Sequence, residues 1–131
     1  DLSVFVLGDA IAATNFAAGS AYPKSGHMAN AQGKIVAKQL VSRILNRPID
    51  DMILPDNTCF SMVNSKPKEA IVVNHRVEYI QEDVKDADGK VTKVGKIKVN
   101  VSAKGENAAD RPSLGKATDD WYRGIMNDLF S

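Results

Sequence analysis

Leu2-Ser3-Val4-Phe5-Val6-Leu7-Gly8-Asp9 is an apolar, β-rich run closed by a glycine and a carboxylate. Val4, Phe5, Val6 and Leu7 are apolar without alternation, which predicts a buried strand over residues 3 to 7, as in a parallel sheet covered on both faces. Gly8-Asp9 ends that strand. A buried strand at the first residues of a chain, with no methionine before it, suggests a piece of a longer protein.

Outward from this run, Ala10 to His27 is rich in Ala, Gly, Ser, Asn and Pro and predicts a loop whose backbone can approach something closely. From Met28 to about Asn46, Ala29, Val36, Ala37, Leu40, Val41, Ile44 and Leu45 recur at helical spacing, with Lys34, Lys38 and Arg43 on much of the other side. Ser25 is the expected N-cap, because its hydroxyl can accept from an unpaired first-turn amide. Asn46, with Pro48 beyond it, supplies the stop.

Pro48 and Pro55 mark residues 47 to 57 as a connection, after which Thr58 to Val63 predicts a short strand with Cys59 at its beginning. Ala70 to Ile80 and Val91 to Val101 predict a hairpin turning at Asp88-Gly89. Its second strand alternates, with Ile97, Val99 and Val101 facing a core and Lys96, Lys98 and Asn100 facing water. Lys104 to Ala117, with Gly105, Pro112 and Gly115, has no periodicity and predicts an irregular excursion. Thr118 then caps a closing helix whose first turn holds Asp119 and Asp120, and whose Trp121, Ile125 and Leu129 form a stripe beside Tyr122, Met126 and Phe130.

The expected fold is α+β: residues 1 to 50 as a strand-loop-helix body, and residues 51 to 131 as a small antiparallel sheet with a closing helix. A chain of 131 residues, 44% hydrophobic and 25% charged, is globular in composition. Seventeen basic against sixteen acidic residues leave a net charge of +1, without the basic footprint that phosphate backbones require. No apolar stretch is long enough to span a bilayer. The two histidines and single cysteine are scattered, which disfavours a metal site, and no Ser-His-Asp grouping or nucleophile elbow supports hydrolysis. Cys59 has no second cysteine with which to pair, and by type alone it is either a small buried hydrophobe or a reactive thiol.

The chemistry concentrates where Gly8-Asp9 follows the strand and Pro23-Lys24-Ser25-Gly26-His27 opens the helix. Ligands of open α/β sheets sit at the carboxyl ends of strands, and a helix start offers free amides with partial positive charge. Val4 to Ala10 resembles the last FAD motif of the two-dinucleotide-binding-domain flavoproteins. Pro23 to Lys34, Asn57-Thr58-Cys59-Phe60-Ser61, and the ending from Trp121-Tyr122 to Asp128-Leu129-Phe130 more narrowly resemble the flavoprotein subunit of flavocytochrome c sulfide dehydrogenase. These separated motifs occur in the family's order, whereas the hairpin and residues 104 to 117 match only loosely.

The resemblance implies a periplasmic FAD enzyme in which sulfide attacks a cysteine disulfide beside the flavin, and electrons leave singly to a c-type cytochrome subunit carrying haem. It makes Cys59 one of the two redox sulfurs and Asp9 the ligand of the ribityl chain. Ser25, Gly26, His27 and Met28 become the helix start against the flavin. Trp121 is then either an aromatic wall near the ring or plain core packing, and His27 either a proton carrier or a surface histidine. The second cysteine and the Gly-rich pyrophosphate motif belong to the family's N-terminal portion, and no GxGxxG occurs here. Two rivals stand beside this reading: a sulfide:quinone oxidoreductase delivering electrons to a membrane, and a noncatalytic interface module.

Overall fold

The structure is a computed structural model that describes residues 4–11, 16–50 and 53–130. After a 3-10 turn at Gly8–Ala10 come helix α1 (Gly26–Ile44), strands β1 (Asn57–Ser65), β2 (Lys68–Lys85) and β3 (Val91–Lys104), a second 3-10 turn at Ala108–Asp110, and helix α2 (Arg111–Phe130). The strands form one antiparallel sheet in the order β1-β2-β3, so the fold is α+β. The chain divides into two compact units, one of residues 1–57 and 75–100 and one of residues 58–74 and 101–131.

In the first unit, α1 starts as its sequence dictates. Ser25 is extended, and its hydroxyl accepts from the Met28 amide at 3.1 Å. At the other end Asn46 takes the left-handed conformation at φ 51°. The Asn46 amide then donates to Arg43 O at 3.2 Å, and the Arg47 amide to Ser42 O at 2.7 Å. This pair of bonds satisfies carbonyls that a helix end otherwise leaves bare. Met28 and Gln32, one turn apart, are the buried residues of α1, whereas Leu40, Val41 and Ile44 are exposed.

The strand expected over residues 3 to 7 does not form. Ser3 lies outside the described residues, and Val4 to Leu7 belong to no strand, with Val4 and Val6 68% and 62% exposed. A buried parallel strand requires hydrogen-bonding neighbours, and among the described residues none lies beside this run. Phe5 alone is sheltered, with the Arg43 guanidinium 5.0 Å from its ring centroid. The backbone of Phe16 to Ser20 lies along β3 instead: Phe16 forms a parallel bridge with Ile97, the Ala17 amide donates to Ile97 O at 2.8 Å, and Val99 N donates to Ser20 Oγ at 3.1 Å. This cover stops at Val99. Ile97 and Val99 are partly buried, whereas Val101 is 63% exposed, contrary to the alternation expected of it.

The hairpin turns where Asp88-Gly89 predicts. Asp86 Oδ1 accepts from the amides of Asp88 and Lys90, at 3.1 and 2.8 Å. The β1-β2 connection contains a cis Lys66-Pro67 bond. Along β2, Ala70 and Val72 are buried in the second unit and Val77 in the first, so the buried positions change parity along the strand.

In the second unit α2 begins at Arg111, seven residues before the expected cap. Thr118 is therefore interior, its hydroxyl donating to Leu114 O at 2.9 Å, and Asp119 and Asp120 are not in a first turn. Pro112, expected within an irregular excursion, sits in the first turn of α2, where its missing N–H costs nothing. Gly115 is buried against the Lys68 backbone. Asp119 instead pairs with Lys68 Nζ at 2.6 Å. The apolar stripe is buried only in part: Trp121 and Ile125 are partly covered, and Leu129 and Phe130 are 54% and 77% exposed.

Candidate functional site

The first unit contains a cavity of about 270 Å³ between the Gly8–Ala10 turn, the segment Ala21–Lys24 and the first turns of α1. Ile11, Phe16, Tyr22 and Met28 provide apolar walls, and Asp9, Lys24 and Gln32 provide polar groups. Phe16 and Tyr22 meet edge to face, with ring centroids 5.0 Å apart at 89°. Burial among these groups pushes the Tyr22 phenol above its ordinary range.

Hydrogen bonds between segments distant in sequence hold the cavity and the helix start beside it. Gly8 holds φ 70°, a conformation that side chains disfavour, and its amide donates to Gln32 Oε1 at 2.7 Å. The Lys24 ammonium donates to Asp9 O at 2.8 Å. Ser25 Oγ, besides capping α1, donates to Asn57 Oδ1 at 2.6 Å, and Asn57 Nδ2 lies 3.1 Å from His75 Nδ1. The Val77 amide donates to Asp56 Oδ1 at 2.9 Å. Three segments distant from it in sequence, residues 8–9, 56–57 and 75–77, thus converge on one end of α1.

Of the residues singled out from the sequence, Asp9 and Met28 line the cavity, and Ser25, Gly26 and His27 form the helix start beside it. Asp9 is exposed and Met28 is 2% exposed. Cys59 and Trp121 lie in the second unit. Cys59 is partly buried in β1. Trp121 meets Phe60 with ring centroids 5.4 Å apart at 54°, a contact that suits packing.

Gln32, Tyr22, Asn57 and His75 did not emerge from the sequence as site residues. Gln32 could have: it lies one turn beyond Met28, so a polar residue shares the face of a buried one. Asn57 and His75, 18 positions apart, carry no local signal of their pairing. Among the described residues no three His, Cys, Asp or Glu side chains gather as metal ligands, and no helix is long and apolar enough to cross a membrane.

The comparisons bear on the second half of the chain. A family model described as "Flavocytochrome c sulphide dehydrogenase, flavin-binding" matches residues 54–130, more than half of the sequence. The matched segment contains Cys59 and Trp121, and the cavity residues from Gly8 to Gln32 precede it. No curated protein and no solved structure matches the chain.

Proposed function

The chain belongs to the flavin-binding family of flavocytochrome c sulphide dehydrogenase, and from that membership we propose that it is the C-terminal part of an FAD-dependent flavoprotein that oxidises sulfide and reduces a c-type cytochrome partner in the periplasm. The observation that carries this reading is the family match over residues 54–130 with Cys59 inside it.

The cavity residues fit a flavin. Its apolar walls at Phe16, Tyr22 and Met28 suit a planar ring, and the polar groups of Asp9, Lys24 and Gln32 suit a cofactor that is polar at its edges. Asp9 would accept from the hydroxyls of the ribityl chain. The amides at Gly26 and His27, at the positive end of α1, would favour negative charge placed there. His27 would stand against the cofactor at the same helix start. Bound flavin supplies a two-electron acceptor that can pass electrons on one at a time.

Cys59, the chain's one cysteine, would supply one sulfur of the redox pair. Hydrosulfide opening a disulfide between Cys59 and a second cysteine, outside this chain, would form one new S–S bond as a persulfide and release the other sulfur as a thiolate, leaving two electrons on the pair. Exposed Val4 and Val6 and the exposed apolar residues of α1 suit contact with a further part of the flavoprotein.

The test is the visible spectrum of the purified intact flavoprotein, with sulfide-dependent reduction of cytochrome c. A flavin band and cytochrome reduction are expected. An intact protein without a flavin band would sink this reading, and reduction of quinone in place of cytochrome would favour the sulfide:quinone rival.

A further inference from the structure

Asn57 is the largest side chain among the described residues to be fully buried, at 1% exposure, and it is polar. A buried amide is costly unless its donors and acceptor are matched, and here the matching runs in one direction. Ser25 has a single hydroxyl proton, directed at Asn57 Oδ1, so its lone pairs are left to accept from the Met28 amide. With Oδ1 facing Ser25, Asn57 presents Nδ2 to His75 Nδ1 at 3.1 Å. The relay His75–Asn57–Ser25–Met28 ends on a residue that lines the cavity.

We propose that Asn57 is a positioning residue for the cofactor cavity: it holds the Ser25 hydroxyl, and through it the first turn of α1, in the conformation that shapes the Met28 wall. His75 in turn holds the Asn57 amide in the orientation this requires. The inference rests on the flavin reading of the cavity. A leucine at position 57 would fill the space but offer Ser25 no acceptor, and the Ser25 hydroxyl would then be free to turn away from the Met28 amide.

The experiment uses the intact flavoprotein, stripped of flavin and titrated with FAD by flavin fluorescence, well below its unfolding midpoint. Wild type must first bind FAD; if it does not, the flavin reading itself falls, before any variant is made. Given binding, Ser25→Ala and Asn57→Ala should each weaken it about tenfold, the scale of one lost helix cap. The double variant should bind no more weakly than either single one, because both act through one hydroxyl. Ser25→Thr, which keeps the hydroxyl, should bind as wild type does.

Should Asn57→Ala fail to fold, the pair Ser25→Ala and His75→Leu carries the same test: His75→Leu should weaken binding alone and add nothing to Ser25→Ala. Losses that add, or variants that only lower the thermal midpoint at unchanged FAD affinity, would overturn the proposal.

Discussion

Gly115 of α2 lies so close to Lys68 of β2 that a Cβ atom on it would fall inside contact distance of the Lys68 carbonyl oxygen and carbonyl carbon. The neighbour is backbone, which cannot swing aside as a side chain can. The glycine is therefore what lets α2 reach the sheet, and the Lys68–Asp119 ion pair, with both groups about half exposed, adds little to that contact.

Gly115→Ala should destabilise the protein. Forcing a methyl group against packed backbone costs about 1–3 kcal/mol, while the gain in helix propensity returns at most about 1 kcal/mol. Chemical denaturation followed by the emission of Trp121, the chain's one tryptophan, measures the balance. A stabilised variant would show that α2 does not approach β2 in this way.

Asn46 allows the opposite change. Its left-handed backbone at φ 51° closes α1, and glycine adopts that conformation without steric cost. Asn46→Gly should leave stability unchanged or raise it by up to about 1 kcal/mol, and Asn46→Ala should lower it by about 1 kcal/mol. Thermal midpoints of the two variants give the order directly, and an alanine variant as stable as the glycine one would contradict the capping account.

These two positions also show what the sequence can and cannot convey. Ser25 and Asn46 bound α1 through local chemistry, and Asp88-Gly89 turns the hairpin in the same way, so these features are legible residue by residue. Pro112 and Gly115 mislead because their meaning is positional: a proline in a first turn and a glycine at a close approach look like loop residues until the partner surface is known. Val4 to Leu7 has the composition of a buried strand but no paired neighbours among the described residues, and composition alone cannot supply them. In the cavity, Asp9 and the helix start are readable because they are contiguous motifs. Asn57 and His75 are not, because their pairing is made by the sheet.

Tyr22 sets an alkaline limit on the cavity. Burial raises its phenol above the ordinary range, so the folded state keeps a proton that the unfolded state gives up at about pH 10. The stability this contributes is fully present below that pH and is lost as pH rises through the higher, folded value. Tyr22→Phe should therefore lose stability less steeply than wild type above about pH 10, with the two curves parallel below it. Denaturation midpoints across that range test this, and equal slopes above pH 10 would place Tyr22 outside the buried wall.

The redox role proposed for Cys59 can be tested in the flavin itself. The most direct measurement is the bleaching of the visible flavin band by sulfide in the intact flavoprotein, wild type against Cys59→Ser. Serine keeps the shape but provides no thiolate, so the variant should hold its flavin with an unaltered band and lose sulfide-dependent bleaching. Bleaching by sulfide at the wild-type rate in the Cys59→Ser protein would contradict the assignment.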